Sequence, residues 1–338
     1  MSTETTAPQS WGRVLGAATL AALVVTLVVA AFTWPAATTT PQNLPVAITG
    51  PAPAVQTVEQ QLETSAPGRF DLVEVADRDA AVAAVEQREV YGGLVLGEEP
   101  EVLTASAAGG ASHQAMTRLA DELGQVSADM PVTISDVVGL DADDAQGVGI
   151  TAAAFPLVLG GMIGGIVVAL LVGGRSRRLV AVGVYAVVAA TLTTTVLHGW
   201  FGILPGDPLA LTAGIGLSLL ATSALIAGLA SVLGPPGIGV GAAITLLIGN
   251  PISAASQPTE FLPWIWGDLG QLFVPGAAVT LVRSLAYFPD ADLTQSLIVL
   301  GAWTLVGLAL IVVGRRGDRP VSAGATSGTE PARELADA

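Results

Sequence analysis

Few side chains in this chain can do bond chemistry, and their spacing argues against it. Ser218 lies in GLSLL (216–220) inside an apolar run, and His113 and His198 are the only histidines. A serine nucleophile needs a positioned base to take its proton. Intramembrane serine hydrolysis would place that base one or two helices after the serine. His198 instead precedes Ser218, and the last apolar run holds no histidine, so Ser218 reads as a packing residue. PPGIGVG (235–241) has the glycine density of a phosphate loop but lacks its Lys-Ser/Thr ending, and reads as a tight turn into a span. ATP hydrolysis by this chain alone is therefore not expected. The two histidines share no metal-ligand spacing. Asp141, Asp143 and Asp144 lack the glycine and final glutamate of a calcium loop, and read as a solvated linker. With no cysteine, thiolate sites and disulfides are excluded. No catalytic residue, cofactor or metal is expected.

The elements around these residues belong to a membrane protein. Of 338 residues, 51% are hydrophobic and 12% charged, too apolar for a soluble domain of this size. Six uncharged runs, at 14–32, 150–174, 179–203, 209–233, 238–255 and 293–314, read as spans. The first reads as an uncleaved anchor, because it is longer than a signal-peptide core and no small-x-small cleavage site follows. Every one of the 13 basic residues is arginine. Arg175, Arg177 and Arg178 follow the second span and Arg315, Arg316 and Arg319 the last, which assigns both clusters to the cytoplasm. Both termini then lie inside and residues 35–149 outside. Intramembrane acids or bases usually serve ion coupling; none interrupts the six runs, so proton- or sodium-driven transport is disfavoured.

The net charge of −15 is concentrated in one segment, since 18 of the 28 acids fall between Glu59 and Asp144. There, LPVAITG (44–50), FDLVEV (70–75), YGGLVLG (91–97), EVLTAS (101–106) and PVTISDVV (131–138) read as strands. Helical patterns at 55–63, 78–89 and 111–126 give the order β-α-β-α-β-β-α-β, a small α/β domain within 35–149. The expected fold is thus a polytopic helical membrane protein carrying one extracytoplasmic α/β domain. Its divisions are a cytoplasmic N-terminus (1–13), a first span (14–34), the α/β domain (35–149), a five-helix membrane domain (150–316) and a disordered cytoplasmic tail (317–338).

Two patterns stand out in the membrane part. Gly160, Gly161, Gly164 and Gly165 form overlapping GxxxG motifs, which bring a second helix close, either within the chain or across a dimer. The stretch 250–289 is apolar and aromatic but cut by five prolines. Pieces this short suit re-entrant helices rather than spans. It reads as two half-helices, 261–273 and 277–288, hinged at Pro275 and Gly276. The whole re-entrant element (257–290) forms a gate over a permeation path, with Phe261 in it and Trp264 and Trp266 at the membrane interface.

One anchor span, LPVAITG and VYGGLVLG in the polar segment, five further spans and NPISAASQPTEFLPWIWGDLGQLFVPGAAVTLVRSLAYF resemble a known pattern. The chain is similar to the membrane subunit of ABC transporter type 2 permeases, near the branch of phage-infection-protein-like membrane proteins. The resemblance implies a homodimeric exporter of a hydrophobic or amphipathic substrate, driven by a separate ATP-binding subunit. That subunit would meet the N-terminal segment up to Arg13 and the turn Arg175, Ser176, Arg177 and Arg178. This turn is shorter than a coupling helix, and some members of the branch resemble surface receptors or secretion accessories instead. The expected partners are that ATP-binding subunit, a second copy and membrane lipid, without nucleic acid.

Overall fold

The structure, a computed structural model, describes residues 11–37, 40–126, 132–141, 144 and 148–314. The tail expected at 317–338, the arginines at 315, 316 and 319, and Asp143 lie outside the described residues, as does most of the N-terminal segment.

Five helices are long and apolar enough to cross a membrane: Trp11–Trp34, Gly149–Leu171, Arg175–Trp200, Pro208–Leu233 and Thr294–Val313. The protein is a polytopic, membrane-embedded helical protein. In full, these elements are α1 (Trp11–Ala37), α5 (Val148–Leu171), α6 (Arg175–Thr194, continued by a π-helical turn Thr195–Trp200), α7 (Pro208–Leu233) and α11 (Thr294–Val313). Helix α7 is the hub, packed against α5, α6 and α11. It can take this place because its buried residues are small: Gly214, Ala221, Ser223, Ala224, Ala227 and Gly228 among them. Gly228 meets the backbone of Gly307 on α11, so the two helices approach without intervening side chains.

The stretch 238–255, expected as a span, is shorter than expected. Helix α8 (Pro235–Ala242) and a π-helical turn (Ala243–Gly249) make one apolar helix, Pro235–Gly249. At 1.5 Å per residue it reaches about 22 Å against a hydrocarbon core of about 30 Å. Pro251 stops it, since its ring would collide with the carbonyl of Leu247 and it has no N–H to continue the ladder.

Five strands form a mixed sheet in the order β2-β1-β3-β4-β5: β1 (Leu44–Thr49), β2 (Phe70–Glu74), β3 (Gly92–Val95), β4 (Glu101–Thr104) and β5 (Thr133–Asp136). Only the β3–β4 pair is antiparallel. The alternation of side chains along a strand builds two cores. Val46, Ile48, Leu94 and Val102 meet α2 (Ala52–Ser65) and α4 (Gly110–Val126) on one face. Ala47 and Leu103 meet α3 (Arg78–Glu86) on the other, and Phe288 from the membrane part enters this second core.

The stretch 250–289 is built from a 3-10 turn (Thr259–Phe261), α9 (Trp266–Gln271) and α10 (Val274–Tyr287). The break falls at Leu272 and Phe273, ahead of the expected hinge. Pro275 and Gly276 lie instead in the first turn of α10, where proline loses no hydrogen bond and its fixed φ suits the helix.

Candidate functional site

The arginines expected to meet an ATP-binding subunit do not act together. Arg13 is exposed on α1, and Arg175, Ser176 and Arg177 are exposed in the first turn of α6. Arg178 is 1% exposed. Its guanidinium donates from Nε to Val172 O (2.7 Å), from Nη2 to Ala169 O (2.9 Å) and from Nη1 to Ser231 Oγ (2.7 Å). It ties the end of α5 to α7 and is removed from the contact surface expected of it. Three arginines at a helix N-terminus oppose the helix dipole, so the helix itself does not account for the two exposed ones.

The four glycines are engaged within the chain. A Cβ at Gly161 or Gly165 would strike Thr222, or Ser223 and Ile226, of α7, and one at Gly164 would strike the ring of Tyr185 on α6. The Tyr185 hydroxyl donates to the Gly160 carbonyl. Ser218 donates to Gly214 O at 2.8 Å in its own helix, and His198 Nδ1 lies 2.8 Å from Leu204 O. Asp144 is buried, not solvated: its Oδ2 accepts from Gly149 N at 2.9 Å at the start of α5.

Of the expected gate, Phe261 is buried, whereas Trp264 is 83% exposed at a positive φ of 56°. Trp266 meets Trp34 of α1 edge-on at 5.9 Å between ring centroids. Gly267, Gly270 and Gly276 touch the carbonyls of Thr259, Ile252 and Gly270, leaving no room for a Cβ. These close approaches fold the segment back on itself. Pro275, Val279 and Val282 of α10 wall a 30 Å³ apolar cavity against α5 and α7.

A larger cavity, about 430 Å³, lies where the sheet domain meets α10. Two cations reach it, and neither was singled out from the sequence. Arg88 follows α3 at a positive φ of 59° and lies over the Phe288 ring, 5.2 Å from its centroid. Its Nη1 donates to Ser284 Oγ (2.7 Å) and Thr280 O (3.3 Å). Arg283, on α10, is 5% exposed and donates from Nη2 to Ala255 O at 2.8 Å. Thr280 Oγ1 donates to Gln271 Oε1 (2.8 Å), fixing the wall between them.

Burial draws the Arg88 guanidinium below its ordinary value, opposed by Tyr91 and Glu260, and an arginine remains charged at neutral pH. Burial, reinforced by Glu260, pushes the Tyr91 hydroxyl well up, so this group enters the site protonated. Among the described residues the one arginine–carboxylate pair within 4.0 Å is Arg78–Glu101, remote from this cavity in its contacts. A signal for Arg283 did exist: it is the only basic residue between Arg178 and Arg315. For Arg88 no comparable signal exists in the acidic segment. Compared with family models, curated proteins and solved structures, the chain gives no significant match.

Proposed function

We propose that this protein is the membrane subunit of an ABC-type exporter in a bacterial plasma membrane, moving a hydrophobic or amphipathic substrate and powered by a separate ATP-binding subunit. In this reading the short helix 235–249 is the fifth of six spans. The termini and Arg175 lie in the cytoplasm, and the sheet domain lies outside. The observation that supports it most is the place of α10, a helix too short to span that walls the apolar space between α5 and α7. An element so placed opens or closes that space without displacing a whole span. A homodimer would use a face other than the glycine stripe, which is filled within the chain.

The test is reconstitution of the full chain with an ATP-binding subunit encoded beside its gene. Complex formation and altered ATP turnover are expected, both weakened in an Arg175→Glu, Arg177→Glu double variant. No complex, or unchanged turnover, overturns the reading. One observation favours a non-transporting envelope protein acting through its sheet domain: only residues 172–174 join α5 to α6, without a separate coupling helix. Ligand binding by the full chain with no ATP-binding partner would decide for it.

A further inference from the structure

We propose that the cavity between the sheet domain and α10 binds the oxyanion of a phosphate-bearing ligand, held by Arg88 and Arg283. The two cations come from different units of the fold and converge on one space. Two like charges brought together out of water repel and lose hydration, a cost that proteins ordinarily offset with an opposite charge. Among the described residues neither arginine has a carboxylate within 4.0 Å. Glu260 acts on Arg88 through space only, and its Oε2 accepts from Thr259 Oγ1 at 2.9 Å. The acids lining this cavity, Glu89 and Asp292, are exposed at the rim, where water screens them.

Donors remain for a ligand. A guanidinium carries five N–H groups in a planar fork suited to phosphate. Arg283 commits Nη2 and Arg88 commits Nη1 to the protein. Their other nitrogens are not among the sealed polar atoms without partners, which are His113 Nδ1, Thr194 Oγ1 and Thr245 Oγ1 in the described residues. They therefore open onto the cavity. A second cavity of about 190 Å³ shares Ala254 and Gln257 with the first and reaches Phe32 on α1 and Phe155 on α5. Both rings are partly exposed on helices long and apolar enough to cross a membrane. Soluble phosphate and a phospholipid headgroup are thus both sources of the same chemistry.

This inference rests on the junction geometry and not on transport, so it is tested without an ATP-binding subunit. The purified full chain is unfolded thermally with inorganic phosphate, with short-chain phosphatidylglycerol, or with phosphatidylcholine of the same chain length. A ligand of the folded state raises Tm with its concentration. Phosphatidylglycerol is expected to raise Tm by several degrees more than phosphatidylcholine. A rise with inorganic phosphate alone would assign the site to a soluble ligand.

Either rise is expected to vanish in Arg283→Gln, while the ligand-free Tm stays equal or increases because an uncompensated charge is gone. Arg283→Lys keeps the charge without the fork and weakens binding about tenfold, the loss of one charge-assisted hydrogen bond. It also serves if the glutamine variant fails to fold. The proposal is overturned if no phosphate probe exceeds phosphatidylcholine, or if the rise persists in Arg283→Gln or is unweakened in Arg283→Lys.

Discussion

The ring of Phe288 lies 5.2 Å below the guanidinium of Arg88, and Phe288 itself is 1% exposed inside the core beneath the sheet. The residue that caps the C-terminus of α10 is therefore a core residue of the other unit. Arg88 closes the same contact from the sheet side by bonding to Ser284, one helical turn earlier on α10. Any displacement of α10 must move this ring against the sheet. The cavity holding Arg283 and the wall of the apolar space then belong to one mechanical element.

Phe288→Ala removes that anchor. Deleting a buried phenylalanine costs about 3–5 kcal/mol, expected here as a lowered Tm together with faster protease cleavage in the sheet domain. Phe288→Leu should recover most of the loss. A Phe288→Ala protein with wild-type protease resistance would show that the domain does not depend on α10.

Arg178→Gln is expected to cost several kcal/mol, since its guanidinium serves three acceptors, two of them in buried hydrogen bonds, at about 1.5–3 kcal/mol for each charged hydrogen bond. Arg175→Gln and Arg177→Gln, both exposed, should change Tm little. Thermal unfolding of the three single variants checks the ordering. Equal losses in all three would refute the division between one internal clamp and two surface charges.

The arginine cluster also shows where sequence reasoning stops. Arg177 and Arg178 are adjacent and chemically identical, and only the position of α7 with Ser231 decides which one is buried. Long apolar runs were legible because membrane insertion depends on composition along one helix. The strand Phe70–Glu74 sits where 70–75 alternates, because a strand at the sheet edge has one wet face and one packed face. The Pro275 hinge was misplaced because a proline marks a helix start and a helix break alike. Arg88 and Arg283 are 195 positions apart, and nothing local relates them; their convergence exists only once the sheet docks on α10.

Acid dependence should follow Glu101. Its hydrogen bonds with Arg78, at 2.6 and 2.9 Å, hold the carboxyl below its ordinary value. A depressed folded-state pKa gives stability that is full above the unfolded value, about 4.3, and lost as pH falls through the folded value. Glu101→Gln should flatten the stability profile in that acid window and leave neutral pH little changed, because the arginine is half-exposed. A variant profile parallel to wild type from neutral to acid pH would exclude the pair as the source.

Gly164→Ala and Gly183→Ala form a matched pair. A Cβ at Gly164 strikes the Tyr185 ring, while one at Gly183 meets nothing within 4 Å. Gly183→Ala should be neutral or stabilising by up to about 1 kcal/mol through helix propensity. Gly164→Ala should destabilise by about 1–3 kcal/mol, the usual cost of overpacking. If Gly164→Ala leaves Tm unchanged but alters oligomer mass, the stripe faces another chain instead of Tyr185.

Sidedness follows from the same junction and has a direct test, because the chain has no cysteine. Asp71 on edge strand β2 and Asp290 after α10 are both exposed, and Phe288 ties the sheet to α10. Single Asp71→Cys and Asp290→Cys proteins should therefore react with a membrane-impermeant maleimide from one side of sealed cells. Ser176 is exposed in the first turn of α6, just past the far end of the 23-residue apolar helix that begins at Gly149. Ser176→Cys should react only after the membrane is opened. Labelling at 71 and 290 from opposite sides would mean an odd number of crossings between them, which would break both the proposed orientation and the site between Arg88 and Arg283.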